Sequence, residues 1–388
     1  MRSRIPGILF LFILVGTGVA AWLVLPHKER PVTTLILSTV PFSQLPGWSN
    51  VDMRAGLAAF RRSCQVILRA EPGTNLGAYA HRAGDWQRVC RLALAINEKA
   101  ARNFFETNFS PFAVGGEALF TGYYEPVLHG SRRRHGPYQT PVYAPPRDLV
   151  SVDLGAFRPD WKGERIAGRL SAQRLIPYAA RADIDEFPPP AAVLFYCDDP
   201  VSVFFLQIQG SGRVALDDGM IVRVAYAAQN GRRYRAIGAA MVRSGALKRQ
   251  NLSLQSIRSW LRANPSAGRQ LMETDESYVF FKEAPVGEAS LGSPGTEGVA
   301  LTPGASIAVD PRFHALGVPM FVDTKTGDGR ALQGLVVAQD TGGAIRGPAR
   351  ADIFFGFGAR AETLAGAMKS SGQLYVLLPK ILADKVAR

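Results

Sequence analysis

The sequence predicts a mainly β protein with helical additions, its strands closing into barrels rather than a doubly wound parallel sheet. Three observations carry this. After Phe112 the chain breaks into many short β-rich runs divided by Gly, Pro and Asp. Glycine (39) and proline (26) are both abundant, which favours short strands and turns. Helical periodicity is confined to one block near the N-terminus and a few isolated segments. The 388 residues suffice for two domains and an ample core, and 47% hydrophobic with 20% charged residues is ordinary for a globular protein.

The chain opens MRSRIPGILFLFILVGTGVAAWLVLPHKER. Arg2 and Arg4 precede an uncharged run from Ile5 to Pro26, and Lys28 and Arg30 follow it. A basic start before an apolar core reads as an export signal or as a single membrane anchor over residues 5–25. Gly18-Val19-Ala20 and Val19-Ala20-Ala21 suit cleavage, whereas Trp22 to Leu25 prolong the apolar run to about twenty residues, a bilayer span. Both readings stand. No cysteine lies in or just after the run, so a lipid-modified N-terminal cysteine is excluded there. Residues 1–26 are thus set apart as signal or anchor.

Residues 27–50 read as an extended linker and first strand punctuated by Pro31, Pro41 and Pro46. From Asp52 the pattern turns helical: Met53, Leu57, Phe60, Cys64 and Ile67 recur at spacings of three and four. Glu71-Pro72-Gly73 ends that helix, and a second is predicted over 85–105. Strands are predicted over 118–124, 139–143, 192–196, 201–209, 213–216 and 220–225. Helices return over 234–243 and over 254–263, where Ser253 is the N-cap and Pro265 the stop. Strands resume over 277–281, 306–310, 319–323, 334–339, 351–355 and 373–378, with one helix at 361–369. The Gly/Pro/Ser/Thr-rich stretch 285–304 reads as a mobile surface loop.

Export implies an oxidising compartment. Of the three cysteines, Cys64 and Cys90 lie in neighbouring predicted helices and are placed to pair; three buried thiols are the alternative, and Cys197 completes the odd count. The five histidines are scattered and no cluster has metal-ligand spacing, so neither a metal nor another cofactor is expected. A net charge of +13 favours an anionic partner such as a membrane surface or an acidic cell-wall polymer. No nucleic-acid motif is present, and Arg132-Arg133-Arg134-His135 reads as a solvated loop between Gly130 and Gly136.

The chemistry-bearing stretch is VVAQDTGGAIRGPARADIFFG, with Asp340 and Asp352. Asp340 opens an Asp-Thr-Gly-Gly turn. An aspartic protease needs two such turns sharing one proton, and this chain has one, since Asp323-Thr324-Lys325 lacks the glycine. A plain turn, its carboxylate accepting backbone N–H groups, is the structural alternative. Two further aspartates, Asp310 and Asp352, also sit at strand ends. Gathered at one rim, three carboxylates would repel, and one would hold its proton near neutral pH. A protonated carboxyl is what cleavage of a glycosidic bond requires.

Two other runs are polar beyond what a core needs. FTGYYEP offers Thr121, Gly122, Tyr123, Tyr124 and Glu125. FFLQIQGSGRV alternates Leu206 and Ile208 with Gln207 and Gln209 before Gly210, Ser211 and Gly212. Hydroxyls and amides suit sugar hydroxyls, and tyrosines stack on sugar rings; a hairpin with one soluble face explains the pattern equally. A phosphate loop is disfavoured because no Gly-Lys-Ser/Thr follows.

FTGYYEP, DPVSVFFLQIQGSGRVALDDG, NGRRYRAIG, SYVFF, LTPGASIAVD, LGVPMFVDT, VVAQDTGGAIRGPARADIFFGFG and YVLLP, in this order, resemble the membrane-bound lytic transglycosylase A family, the C-terminal part looking like its three-aspartate domain. The resemblance implies a double-psi β-barrel from 27–124 and 226–388, with a smaller inserted β-domain over 125–225 and a glycan groove between them. It implies cleavage of the peptidoglycan bond from N-acetylmuramic acid to N-acetylglucosamine without water, the C6 hydroxyl closing on C1 to leave a 1,6-anhydro end. Asp340 matches the essential acid, Asp310 and Asp352 the supporting carboxylates. Thr121, Gly122, Tyr123, Tyr124, Gln209, Gly210, Ser211, Gly212, Thr341, Gly342 and Gly343 are the implied substrate contacts, and peptidoglycan strands in the periplasm the implied partner. The chain departs from the pattern in lacking the anchor cysteine, in Asp275 where asparagine is usual, and in His314 before LGVP. A wall hydrolase using Glu125 or Asp352 as second carboxylate, and a non-catalytic polysaccharide-binding barrel, are the competing readings.

Overall fold

The structure is a computed structural model describing residues 34–161, 165–285 and 287–386. The expected signal or anchor over 5–25 lies outside the described residues. Among the described residues no helix is long and apolar enough to cross a membrane.

A short strand, β1 (Leu37–Thr39), precedes three helices, α1 (Arg54–Arg69), α2 (Ala83–Ala95) and α3 (Ala101–Asn108). The spacing read in the sequence becomes the inner face of α1, where Leu57, Phe60, Cys64 and Ile67 are buried. The expected helix over 85–105 is broken after Ala95: the Asn97 side chain accepts the Lys99 N–H and restarts the chain in a fresh turn. Cys64 and Cys90 form a disulfide between α1 and α2, their Cα atoms 4.9 Å apart, while Cys197 is a buried free thiol that burial pushes up to about 12. Reduction opens a loop with a sequence separation of 26. By chain entropy this is expected to cost about 3 kcal/mol, read as a lower denaturation midpoint with reductant.

The chain then forms β2 (Phe109–Val114), β3 (Ala118–Glu125), β4 (Val127–Ser131) and β5 (Thr140–Tyr143). A small meander follows, β6 (Val150–Asp153), β7 (Arg165–Ser171) and β8 (Arg174–Pro177). Next come α4 (Arg181–Glu186), β9 (Val193–Cys197), α5 (Pro200–Gln209), β10 (Ser211–Leu216) and β11 (Ile221–Gln229). Helices α6 (Ile237–Arg243), α7 (Leu254–Ala263) and α8 (Pro265–Glu273) lead to β12 (Val279–Ala284). The C-terminal part holds β13 (Ser306–Val309), β14 (Pro319–Lys325), β15 (Ala331–Thr341), β16 (Arg350–Phe357), α9 (Gly358–Ala367), β17 (Lys369–Pro379) and α10 (Lys380–Val386).

Strands β3, β16, β13, β15, β14 and β17 pair in that order, and β17 returns to β3, so six strands close a barrel. Closure leaves no free edge within the ring. The predicted mainly β, barrel-forming class is therefore correct. β2 and β1 extend the sheet beside β17. A second sheet runs β12-β11-β10-β4-β9-β5, and the meander is a third. The main core lies between the barrel and the N-terminal helices, where Phe60, Phe105 and Phe109 meet Phe112, Phe321 and the β15 valines. Gly56 brings α1 onto β15: a Cβ there would lie 2.5 Å from the Leu335 carbonyl oxygen.

Three further expectations are corrected. The predicted strand over 201–209 is the helix α5, started by the Asp199 side chain and Pro200 and ended by Gly210 in the left-handed conformation. It is buried on every side from Val201 to Gln207, so no polar face betrays its period. Pro265 stops α7 but also opens α8 as its first residue, where a missing N–H costs nothing. Stretch 285–304 is no plain surface loop: Leu291, Ser293, Val299 and Leu301 are buried. Its composition reports irregular backbone, not lack of contact.

Candidate active site

The strand register builds the site. Asp340 on β15 lies opposite Ala308 on β13, Ala308 opposite Asp352 on β16, and Asp352 opposite Thr121 on β3. One row across four strands therefore carries both carboxylates and a hydroxyl. A register shift between Ile307 and Ala308 leaves Gln339 as the extra residue of a bulge. The bulge separates the two neighbours: Gln339 is buried and donates to the Ala59 carbonyl and the Ser63 hydroxyl of α1, while Asp340 faces the other way.

Asp340 Oδ1 accepts three hydrogen bonds, from the Thr296 N–H (3.0 Å), the Thr296 hydroxyl (2.9 Å) and the Thr341 N–H (2.9 Å). Oδ2 accepts the Tyr123 hydroxyl at 3.0 Å. Desolvation nevertheless dominates these donors and raises the Asp340 carboxyl above the usual carboxylate range. Tyr123 is itself pushed well above its ordinary value by burial and then by the Asp340 charge, so it keeps its proton and remains a donor. Asp352 is pushed up to about 6, chiefly by burial; the Thr121 hydroxyl (2.5 Å) and the nearby Arg350 charge oppose this, and Asp340 adds to it. Arg350 also donates to the Thr121 hydroxyl at 2.7 Å.

Asp310 follows a different course from its two partners. Its carboxylate is fully buried, ion-paired to Arg312 at 2.6 Å, and accepts the Gly347 N–H at 2.8 Å. Burial opposes its charge, but these donors together hold its carboxyl below the usual range. It secures the loop after Asp340 as an anion. Mutual repulsion, the cause of a held proton expected from the sequence, is not the main one: burial is the larger force at both Asp340 and Asp352. His314, which had no evident consequence in the sequence, is fully buried beside this loop. Its Nε2 faces the Pro348 carbonyl at 2.6 Å and must carry the hydrogen, so Nδ1 accepts the Tyr79 hydroxyl at 2.9 Å. Asp275 caps its own turn, its Oδ1 accepting the Arg235 and Ser277 N–H groups.

The other named residues divide. Thr121, Tyr123 and Thr341 join the two carboxylates. Tyr124 does not: alternation along β3 turns it into a cluster with Ala361 and Ala365, 1% exposed, with Arg258 on its hydroxyl, so its ring is not available to stack on a sugar. Gly122 points the same way, where a Cβ would lie 2.6 Å from the Phe355 ring. Gln209 ends α5 and accepts the Tyr124 N–H at 3.1 Å, Gly210 is the helix terminator, and Gly212 packs on Leu206 and Pro126. The Ser211 hydroxyl sits 3.4 Å from Glu125, a fully buried carboxylate that also takes the Ser293 N–H and pairs with Arg213. Gly342 packs on Ile345, whereas Gly343 opens onto free space. Thr296 and Arg350 were missed; neither carries a sequence signal, because one sits in a Gly-rich stretch and the other reads as a surface cation. Among the described residues no three His, Cys, Asp or Glu side chains gather to hold a metal ion.

Fold and site define a class: a closed six-stranded barrel presenting a desolvated acid pair beside a hydroxyl-bearing strand, without the twin Asp-Thr-Gly turns of a protease. Family models make this particular. Residues 119–282 match the MltA specific insert domain and residues 305–378 the 3D domain. The chain is 32% identical over 274 residues to the membrane-bound lytic murein transglycosylase A of Escherichia coli, covering 68% of this chain and 66% of that protein. The crystal structure of a membrane-bound lytic murein transglycosylase from Agrobacterium tumefaciens superposes with a TM-score of 0.80 at 32% identity, covering 90% of this chain and 99% of that one. That of E. coli MltA with bound chitohexaose gives 0.61 at 23% identity, covering 89% and 95%. The chain belongs to the membrane-bound lytic murein transglycosylase A family with a C-terminal 3D domain. It spans just under two thirds of the length of the E. coli relative that it matches in sequence.

Proposed function

We propose that this chain is a peptidoglycan lytic transglycosylase in which Asp340 acts alone, first as acid and then as base. The carrying observation is the setting of Asp340: a half-buried carboxyl in one row with Asp352 and Thr121, its Oδ2 beside the Tyr123 hydroxyl, where desolvation raises its pKa above the usual carboxylate range. The proton passes to the glycosidic oxygen of the departing N-acetylglucosamine as the C1–O bond breaks. The carboxylate so formed takes the proton of the muramyl C6 hydroxyl as O6 bonds to C1. The acid is regenerated, a 1,6-anhydro end is left, and no water enters. Asp352, Arg350 and Thr121 set the charge beside Asp340, and Asp310 fixes the loop that follows it. The barrel is read as double-psi, with the glycan strand passing between it and the second sheet. β3 and β4 join the two across Pro126, and Thr121, Tyr123 and Glu125 alternate onto one face of β3. Relatives named membrane-bound lytic murein transglycosylase, at 32% identity, support a murein glycan as the substrate and a place at the cell envelope, in the periplasm.

The hydrolase reading loses one of its two second carboxylates. Glu125 is fully buried and engaged by Arg213 and Ser293, so it does not reach a water beside the sugar. Mass spectrometry of products from purified walls decides between the chemistries. Anhydro-muramyl ends are expected, and reducing ends alone would replace this reading with hydrolysis.

The sign of the pH dependence follows from the acid role. Asp340 must enter the cycle protonated, so the rate falls as pH rises through its elevated pKa. Ionisation of Asp352 near pH 6 places a second negative charge nearby and moves that limb further up. An acidic optimum with one descending limb is expected in a muropeptide-release assay; a rate still climbing at about pH 9 is incompatible with it.

A further inference from the structure

The turn over Asp340 is built for one task that the acid/base cycle leaves unexplained, namely which oxygen carries the proton. Residues 295–298 form a tight turn closed by the Gly298 N–H on the Gly295 carbonyl (2.9 Å) and the Gly295 N–H on the Val299 carbonyl (3.0 Å). It is seated on the strand end by the Glu297 N–H, which donates to the Gln339 carbonyl at 3.0 Å. It lies so close that a Cβ on Gly295 would come within 2.6 Å of the Gln339 carbonyl oxygen and 3.2 Å of the Asp340 Cβ. Below, the Glu297 carboxyl accepts the Ser63 hydroxyl of α1 at 2.7 Å, and Ser63 accepts the Gln339 amide at 2.9 Å. The turn is thus held from the helix, from the backbone and from the bulge at once.

What it presents is Thr296. Both its N–H and its hydroxyl donate to the same carboxylate oxygen, Oδ1, where the Thr341 N–H already donates. Because the Thr296 hydroxyl spends its one hydrogen on Asp340, the Thr341 hydroxyl 2.8 Å away must donate to it, which polarises the pair. Oδ1 therefore faces three hydrogens and has no room for a fourth, whereas Oδ2 faces only Tyr123.

We propose that Thr296 is a positioning residue: by loading Oδ1 with donors, the turn reserves Oδ2 of Asp340 as the atom that gives and takes the proton, and Glu297 with Ser63 fixes the turn at the height this needs. This rests on the acid/base reading of Asp340. A carboxylic acid fixed in this sense donates in one direction, so the same oxygen meets the leaving group and then the C6 hydroxyl without rotation of the side chain.

Donors to a carboxylate favour its charged form, so removing the Thr296 hydroxyl raises the affinity of Asp340 for its proton. The charged and titratable groups around Asp340 are Tyr123 and Glu125 on β3, Asp352 and Arg350 on β16, and Glu297 under the turn; Thr296→Val alters none of them. The test is a carbon-13 titration of the Asp340 carboxyl in wild type, Thr296→Val, Thr296→Ala and Thr296→Ser, with muropeptide release followed over the same pH range. The Val and Ala variants are expected to titrate about one unit higher. Their descending activity limb moves by the same amount, and Ser returns both to the wild-type position. A lower rate with the limb and the titration unmoved means that Thr296 only supports the fold, and overturns the proposal. The titration does not depend on product chemistry. Wild-type digests without anhydro ends would sink the function while leaving the positioning role decided by the titration.

Discussion

Asp340→Asn is expected to leave a folded protein that binds walls and releases almost no muropeptides, the rate falling by about 10²–10⁴-fold. Asparagine keeps the oxygen that accepts the Thr296 and Thr341 donors, so the turn over the strand end stays in place. It lacks the acid at the other atom. Burial already favours the neutral form at this position, so a neutral amide costs the fold little. Loss of activity at unchanged thermal midpoint therefore reports chemistry and not unfolding. A binding assay on sacculi beside the release assay separates the remaining class of protein: if the wild type also releases nothing while both bind, the barrel is a polysaccharide-binding module. An Asp340→Asn variant with wild-type release removes the residue from the mechanism altogether.

Arg213→Met carries the largest expected effect on stability. Arg213 crosses from β10 to Glu125 at 3.4 Å, covers the Phe357 ring at 3.3 Å, and donates to the Ala289 and Leu291 carbonyls. Glu125 has no exposed surface and Arg213 is 9% exposed. Removing one partner of such a pair strands the other charge away from water, which costs about 3–5 kcal/mol. The double variant Arg213→Met with Glu125→Gln is expected to recover most of this, because the stranded charge is then gone. Urea melts of the two single variants and the double one measure the coupling; equal losses in Arg213→Met with and without Glu125→Gln would show that Arg213 acts by packing alone. The pair also ties together the second sheet, the end of β3 and the 288–293 segment, so its loss is expected to reach the site through Tyr123.

How much of this was legible in the sequence varies with the kind of signal. The face of α1 was readable because one side of it meets water and the other the barrel, and the spacing of Leu57, Phe60, Cys64 and Ile67 records that difference. α5 was not, because burial on all sides erases the record, although its Asp-Pro start and Gly end were present at Asp199, Pro200 and Gly210. Asp340 was singled out from its turn and Asp352 from its place at a strand end, and the register puts both in one row. Tyr124 was misjudged from its neighbour Tyr123: adjacent residues of a strand face opposite ways, and only the register says which one meets the acid. Thr296 lies 44 positions from Asp340 and touches it, a contact of a kind that no local pattern encodes.

The sequence by itself determined the strand-rich class, the helical N-terminal block and the family, and it singled out Asp340 as the candidate acid, because each is written in local composition, spacing or a contiguous motif. Tertiary structure alone decided that Asp340 and Asp352 share a row, that a bulge turns Gln339 inward and Asp340 outward, and that Thr296 loads one oxygen. The physical reason is that proton affinity depends on what surrounds a carboxyl in space, and closing six strands into a ring brings those surroundings from β3, β15, β16 and the 295–298 turn, segments far apart along the chain.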